Sequence, residues 1–197
     1  MERPDEALAH IQSAMQLDPL SLVINCLKGW VLYFARRYDD AIHQLLNTIE
    51  MDQNFLVTRY FLGVVYLRTG RFEESVVQFE KAKQTSNNHP GPVAGLSAAL
   101  ALSGKKSEAR KILEALQKLT ARRYVAPYYI AMAHLALGDV AKAFDWLEKA
   151  FEEHSTYLSN IKADPGLDSL RSDPRFLKLV RRVGLSGGVH SATGKAR

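Results

Sequence analysis

Residues 56–85 read Leu-Val-Thr-Arg-Tyr-Phe-Leu-Gly-Val-Val-Tyr-Leu-Arg-Thr-Gly-Arg-Phe-Glu-Glu-Ser-Val-Val-Gln-Phe-Glu-Lys-Ala-Lys-Gln-Thr, and their spacing decides the fold. Phe61, Leu62, Val65 and Tyr66 fall at helical intervals, and so do Ser75, Phe79 and Ala82. Gly70 lies between the two stripes, where a positive φ would end the first helix. The stretch is therefore a hairpin of two helices, each with one apolar face.

The same hairpin recurs along the chain. Ala7, Ala41, Ser75, Ala109 and Ala143 stand 34 residues apart. Four residues later the ladder reads Ile11, Leu45, Phe79, Leu113 and Leu147; three further on it reads Ala14, Thr48, Ala82, Leu116 and Ala150. Upstream of all but the first copy lies a second series: Lys28-Gly29, Leu62-Gly63, Leu96-Ser97 and Ile130-Ala131. Gly70, Gly104 and Gly138 mark the turns, and Arg36 breaks that series. One such hairpin cannot bury its apolar face alone, so neighbours must stack. The expected fold is all-α: a solenoid of antiparallel helical hairpins with full repeats starting near Leu22, Leu56, Pro90 and Tyr124.

This period and pattern resemble the tetratricopeptide repeat over roughly residues 3 to 155. The resemblance implies a superhelix whose concave face is lined by the first helix of each pair. Carried across residue by residue, the family's groove offsets give Cys26, Trp30 and Tyr33; Tyr60, Val64 and Leu67; Ala94, Ala98 and Ala101; and Tyr128, Met132 and Leu135. Cys26 and Trp30 stand where some relatives carry the Lys and Asn that clamp a terminal carboxylate. The implied groove is apolar and aromatic, and its implied occupant is a protein or peptide segment anchored on Trp30 and Tyr60.

After Ser155 the register is lost. Asp173 is a good N-cap and Pro174 suits the first helical position, with Phe176, Leu179, Val180 and Val183 on one apolar face. Arg175, Lys178, Arg181 and Arg182 would face outward, as a terminal cap requires. The expected organisation is a solenoid over 1–155, a capping segment over 156–185 and a disordered Gly/Ser-rich tail over 186–197. Phe144 to Glu153, the run Asp164-Pro165 through Asp173-Pro174-Arg175-Phe176, and Arg182-x-Gly184-Leu185 resemble the C-terminal repeats of bacterial winged-helix or serine/threonine-kinase signalling proteins. The resemblance implies a regulatory module, because no kinase or winged-helix head is present in this sequence.

Composition narrows the function classes. No apolar run approaches the ~20 residues that span a bilayer, and the acidic start has no signal-peptide core. One cysteine, Cys26, excludes a disulfide framework and points to a reducing cytoplasm. The six histidines show no helical zinc spacing, so no metal and no cofactor are expected. Nucleophile elbows and phosphate loops are also missing from the sequence, and a non-catalytic protein is expected. His134 reads as a satisfied core histidine.

Net charge is +5, with 9 Lys/Arg against 11 Asp/Glu in residues 1–100 and 17 against 10 in residues 101–197. No nucleic-acid motif accompanies the basic half, so it reads as solvated helix faces rather than a nucleic-acid site. Ala7, Ile11 and Ala14 lack a preceding partner helix, and the expectation for that open edge is either dimerisation or a missing upstream segment.

Overall fold

The computed structural model describes residues 4–184. The notional tail over 186–197 lies outside them. Among the described residues there are helices and no strands. Helix α1 (Pro4–Leu17) is followed by four hairpins: α2 (Leu22–Phe34) with α3 (Tyr38–Met51), α4 (Leu56–Arg68) with α5 (Phe72–Thr85), α6 (Pro90–Leu102) with α7 (Lys106–Leu119), and α8 (Pro127–Leu137) with α9 (Val140–Glu152). Two 3₁₀ turns, Thr156–Asn160 and Pro165–Leu170, lead to α10 (Pro174–Arg182).

The repeat ladders are the internal seams. Ala41, Leu45, Phe79, Ala82, Ala109, Leu113, Ala143, Leu147 and Ala150 are all buried. Glycine lets the paired helices close. A Cβ on Gly29 would lie 2.5 Å from Leu45, and one on Gly63 would lie 2.9 Å from Phe79. Ser75 replaces the ladder alanine at no cost, because its hydroxyl donates to the Gly63 carbonyl at 2.8 Å.

Two departures from the sequence pattern have physical causes. The fourth hairpin begins at Pro127, not Tyr124; Ala126 is extended (ψ 122°), as a residue before proline prefers to be. At the first turn Arg36 adopts φ 61°, the left-handed region that Gly70, Gly104 and Gly138 occupy in the later turns. The break in the glycine series is thus a change of residue and not of backbone.

The core divides in two. One part, around Leu32, Leu45, Leu62 and Val65, belongs to α2–α4. The other runs from Phe79 through Leu96, Ile130 and Leu147 to Leu167, Leu170, Phe176 and Leu179. Val64 packs against both.

At the far end Asp173 accepts the Arg175 amide at 2.9 Å and starts α10. Phe176 and Leu179 are buried there, while Val180 and Val183 are partly buried. Arg175, Lys178, Arg181 and Arg182 are exposed, as expected, and two of them also cover aromatic rings. Arg175 lies 4.0 Å from the Phe144 centroid, and Arg182 lies 4.2 Å from that of Phe151 while bonding Glu148 at 2.6 Å.

Candidate functional site

The concave face is built by the first helix of each hairpin. Trp30 on α2 is sandwiched between Tyr33, with centroids 4.6 Å apart, and Phe61 of α4 at 4.1 Å. Tyr60 meets Phe79 at 5.9 Å and Tyr129 of α8 at 6.3 Å. Small residues on α6, Ala94, Gly95 and Ala98, keep the middle of the face open. The result is a cavity of about 460 Å³. Its rim includes the exposed Leu102 and Tyr157.

The segment 156–171 crosses one side of this face as a strap. Its Leu158, Ile161, Leu167 and Leu170 are buried in the core shared with α8 and α9. Toward α2 Ala163 packs against the α2–α4 core, and the other contacts are polar. The buried Asp164 accepts from the Tyr33 hydroxyl at 2.9 Å, from the Tyr128 hydroxyl and from the Gly166 amide at 2.7 Å. Asp168 accepts two bonds from Arg36, at 2.5 and 2.8 Å, and one from Arg171 at 2.6 Å. Tyr157 stacks on Tyr128 at 5.6 Å and shares a hydroxyl hydrogen bond with Tyr129.

Burial, with the Asp164 charge and hydrogen bond, holds the Tyr33 and Tyr128 hydroxyls well above the ordinary tyrosine range. They remain neutral donors. Asp168 is held down at about 2, chiefly by its hydrogen bonds from Arg36.

Eight of the residues placed on the groove by sequence line the cavity: Trp30, Tyr33, Tyr60, Val64, Ala94, Ala98, Tyr128 and Met132. Leu67 and Leu135 line it as well. Cys26 and Ala101 do not. Both are 2 % exposed in the packed layer behind the face, and burial pushes the Cys26 thiol up to about 11. Phe61, Arg68, Tyr129, Tyr157 and Asp164 also line the cavity and were not among the sequence candidates. The Tyr128-Tyr129 doublet was a visible signal. Nothing local signalled that Asp164 would reach a tyrosine 131 residues away.

Away from the cavity, His134 is buried, pairs with Gln117 at 2.9 Å and has its pKa lowered, chiefly by burial. Among the described residues no cluster of three or more His, Cys, Asp or Glu could hold a metal ion, and no helix is long and apolar enough to cross a membrane.

The tetratricopeptide repeat profile matches residues 26–90 and 97–157. Human DnaJ homolog subfamily C member 7 is 29% identical over 105 residues, which cover 51% of this chain and 21% of that protein. The mouse protein of the same name matches equally, so the match spans about a fifth of the length of these curated relatives. Among solved structures, a tetratricopeptide repeat protein from Parabacteroides merdae aligns with a TM-score of 0.65 at 16% identity, covering 96% of this chain and 74% of the other. The thermophilic protein TTC0263 of Thermus thermophilus aligns at 0.64 and 16% identity, covering 84% and 91%. YrrB, described as having an unusual peptide-binding site, aligns at 0.52 and 14% identity, covering 88% and 90%. These similarities concern the fold.

Proposed function

Because the chain belongs to the tetratricopeptide repeat family, we propose that it is a non-catalytic protein–protein interaction scaffold that receives an apolar side chain or turn of a partner protein in its concave aromatic cavity. The observation that carries this reading is the partly buried apolar and aromatic wall of Trp30, Tyr60, Phe61 and Val64, open at the Leu102 and Tyr157 rim. Aromatic anchors in a preformed pocket are the usual source of affinity at such surfaces. The strap narrows one side, so the reading favours a compact anchor over a long segment lying along the whole groove.

Three further elements belong to the same reading. The residues through 155 form the binding array, and the described part of the capping segment, 156–184, closes its C-terminal end. The resemblance of that end to bacterial winged-helix and kinase signalling proteins makes a cytoplasmic regulatory role the second reading. The N-terminal edge, where Leu17 and Leu20 are strongly exposed, is a place for self-association.

Leu102 tests the scaffold reading without disturbing the core, since it is 44 % exposed at the rim. A pull-down with the wild-type chain and with Leu102→Glu, both checked for melting temperature, should show proteins retained by the first and lost from the second. An identical retained set at unchanged melting temperature would remove the cavity from the interaction.

A further inference from the structure

The cavity carries polar groups whose pairing is uneven. The Tyr33 and Tyr128 hydroxyls are spent on Asp164, and that of Tyr129 on Tyr157. Tyr60 lines the same space, and its hydroxyl has no hydrogen-bond partner among the described residues. Burial pushes its pKa well above a tyrosine's ordinary range, so it is neutral there.

The second group is Arg68, also on the cavity wall. Its ion pair is with Asp168 at 3.9 Å, beyond hydrogen-bond length. Asp168 is already taken by Arg36 and Arg171 at 2.5 to 2.8 Å. Both Asp164 oxygens are likewise engaged by tyrosine and backbone donors. Three guanidinium groups therefore face two carboxylates here. One positive charge is left at the edge of an apolar space, on the side chain with the weakest partner.

Tyr60, Val64 and Arg68 follow one another at four-residue steps on α4, so they share a face. Eight residues separate the two polar ends, roughly 12 Å along the helix. Between them the wall is apolar, with Val64, Leu67 and Met132. A volume of about 460 Å³ with apolar walls and a few placed polar atoms is a small-molecule site in its dimensions.

We propose that the cavity binds a small amphiphilic monocarboxylate: its carboxylate on the Arg68 guanidinium, its apolar body along Val64, and a distal hydrogen-bonding atom on the Tyr60 hydroxyl. This goes beyond the scaffold reading, since it assigns a ligand and not a protein partner. The bound molecule would fill the space that an apolar anchor from a partner would otherwise enter, so ligand and partner would compete.

The test uses the full chain and three probes below their aggregation limits: 10-hydroxydecanoate, decanoate and decan-1-ol. Binding is read by calorimetry and by Trp30 fluorescence in a Trp146→Phe background. Decanoate should bind about tenfold more tightly than decan-1-ol, as a charge-assisted bond predicts. Arg68→Gln should abolish that ratio. The hydroxy acid should exceed decanoate, and Tyr60→Phe should remove its advantage while sparing the preference for carboxylate. Ala98→Trp, which fills the cavity, should end binding of all three.

Equal affinity for acid and alcohol in the wild-type chain would overturn the proposal, as would a preference untouched by Arg68→Gln or no binding at all. If the carboxylates fail while Leu102→Glu still loses a protein partner, only this inference falls. If the reverse holds, only the scaffold reading falls.

Discussion

Arg36 and Asp168 lie 132 residues apart in the sequence and meet through two hydrogen bonds of 2.5 and 2.8 Å. In a solenoid each repeat ordinarily touches only its neighbours. Here the turn of the first hairpin is tied to the strap that follows the last one. The same contact includes the Tyr33–Asp164 hydrogen bond and Ala163 packed on the α2–α4 core, while the strap's large apolar residues belong to the core of α8 and α9.

The pair sets an acid limb on stability. Asp168 has its pKa depressed to about 2 in the folded chain, against 3.8 ordinarily. Its contribution is therefore present above ~4 and is lost as pH falls through about 2. Denaturant titrations across that window should show a steeper loss for the wild type than for Asp168→Asn. Parallel curves would mean the pair contributes nothing to stability.

Arg36 also carries a backbone cost. Its φ of 61° is a region that glycine enters freely and other residues do not. Arg36→Ala loses the ion pair and keeps the strain; Arg36→Gly loses the pair and relieves it. The glycine variant should be the more stable of the two by roughly 1 kcal/mol in chemical denaturation.

Trp30 is an internal brace as well as a wall of the cavity, with both faces stacked against rings. Trp30→Ala should cost about 3 kcal/mol or more of folding stability. Loss of a partner in that variant is therefore uninformative unless it is corrected for folding. The exposed Leu102 is the cleaner probe, and Leu102→Glu should leave the melting temperature nearly unchanged.

Ala143 is 1 % exposed in the seam between α9 and its neighbours. Ala143→Leu should destabilise the chain by roughly 1–3 kcal/mol through overpacking. A calorimetric scan matching the wild type would show that the seam can yield at this point.

At the other end α1 has no fully buried residue, and Leu17 is 89 % exposed. Self-association through this edge should appear as a concentration-dependent mass in light scattering. It should weaken in Leu20→Glu, which adds a charge to the same edge. A mass that stays monomeric at high concentration would end that expectation.

The solenoid was legible because its determinants are local and repeated. A small residue every 34 positions, with a bulky one four residues later, specifies each seam, and Leu45, Phe79, Leu113 and Leu147 occupy it. The inner wall followed from the groove offsets that the family resemblance implies, apart from Cys26 and Ala101, which sit one layer deeper. The strap was legible only as a cap. Its Asp-Pro turns mark where helices start and stop, but the partners of Asp164 and Asp168 depend on how far four hairpins curl. That curvature is a sum of small packing rotations, and no single residue announces it.

Joining the two ends of the array also changes how it should come apart. An open stack can fray one hairpin at a time, each with its own midpoint. A stack whose first turn is tied to its last must break the Arg36–Asp168 and Tyr33–Asp164 ties before α2 can leave, or shed its C-terminal end with them. Unfolding of the region from α2 to the strap should thus be closer to all-or-none, and cutting the tie should broaden the transition more than it lowers its midpoint.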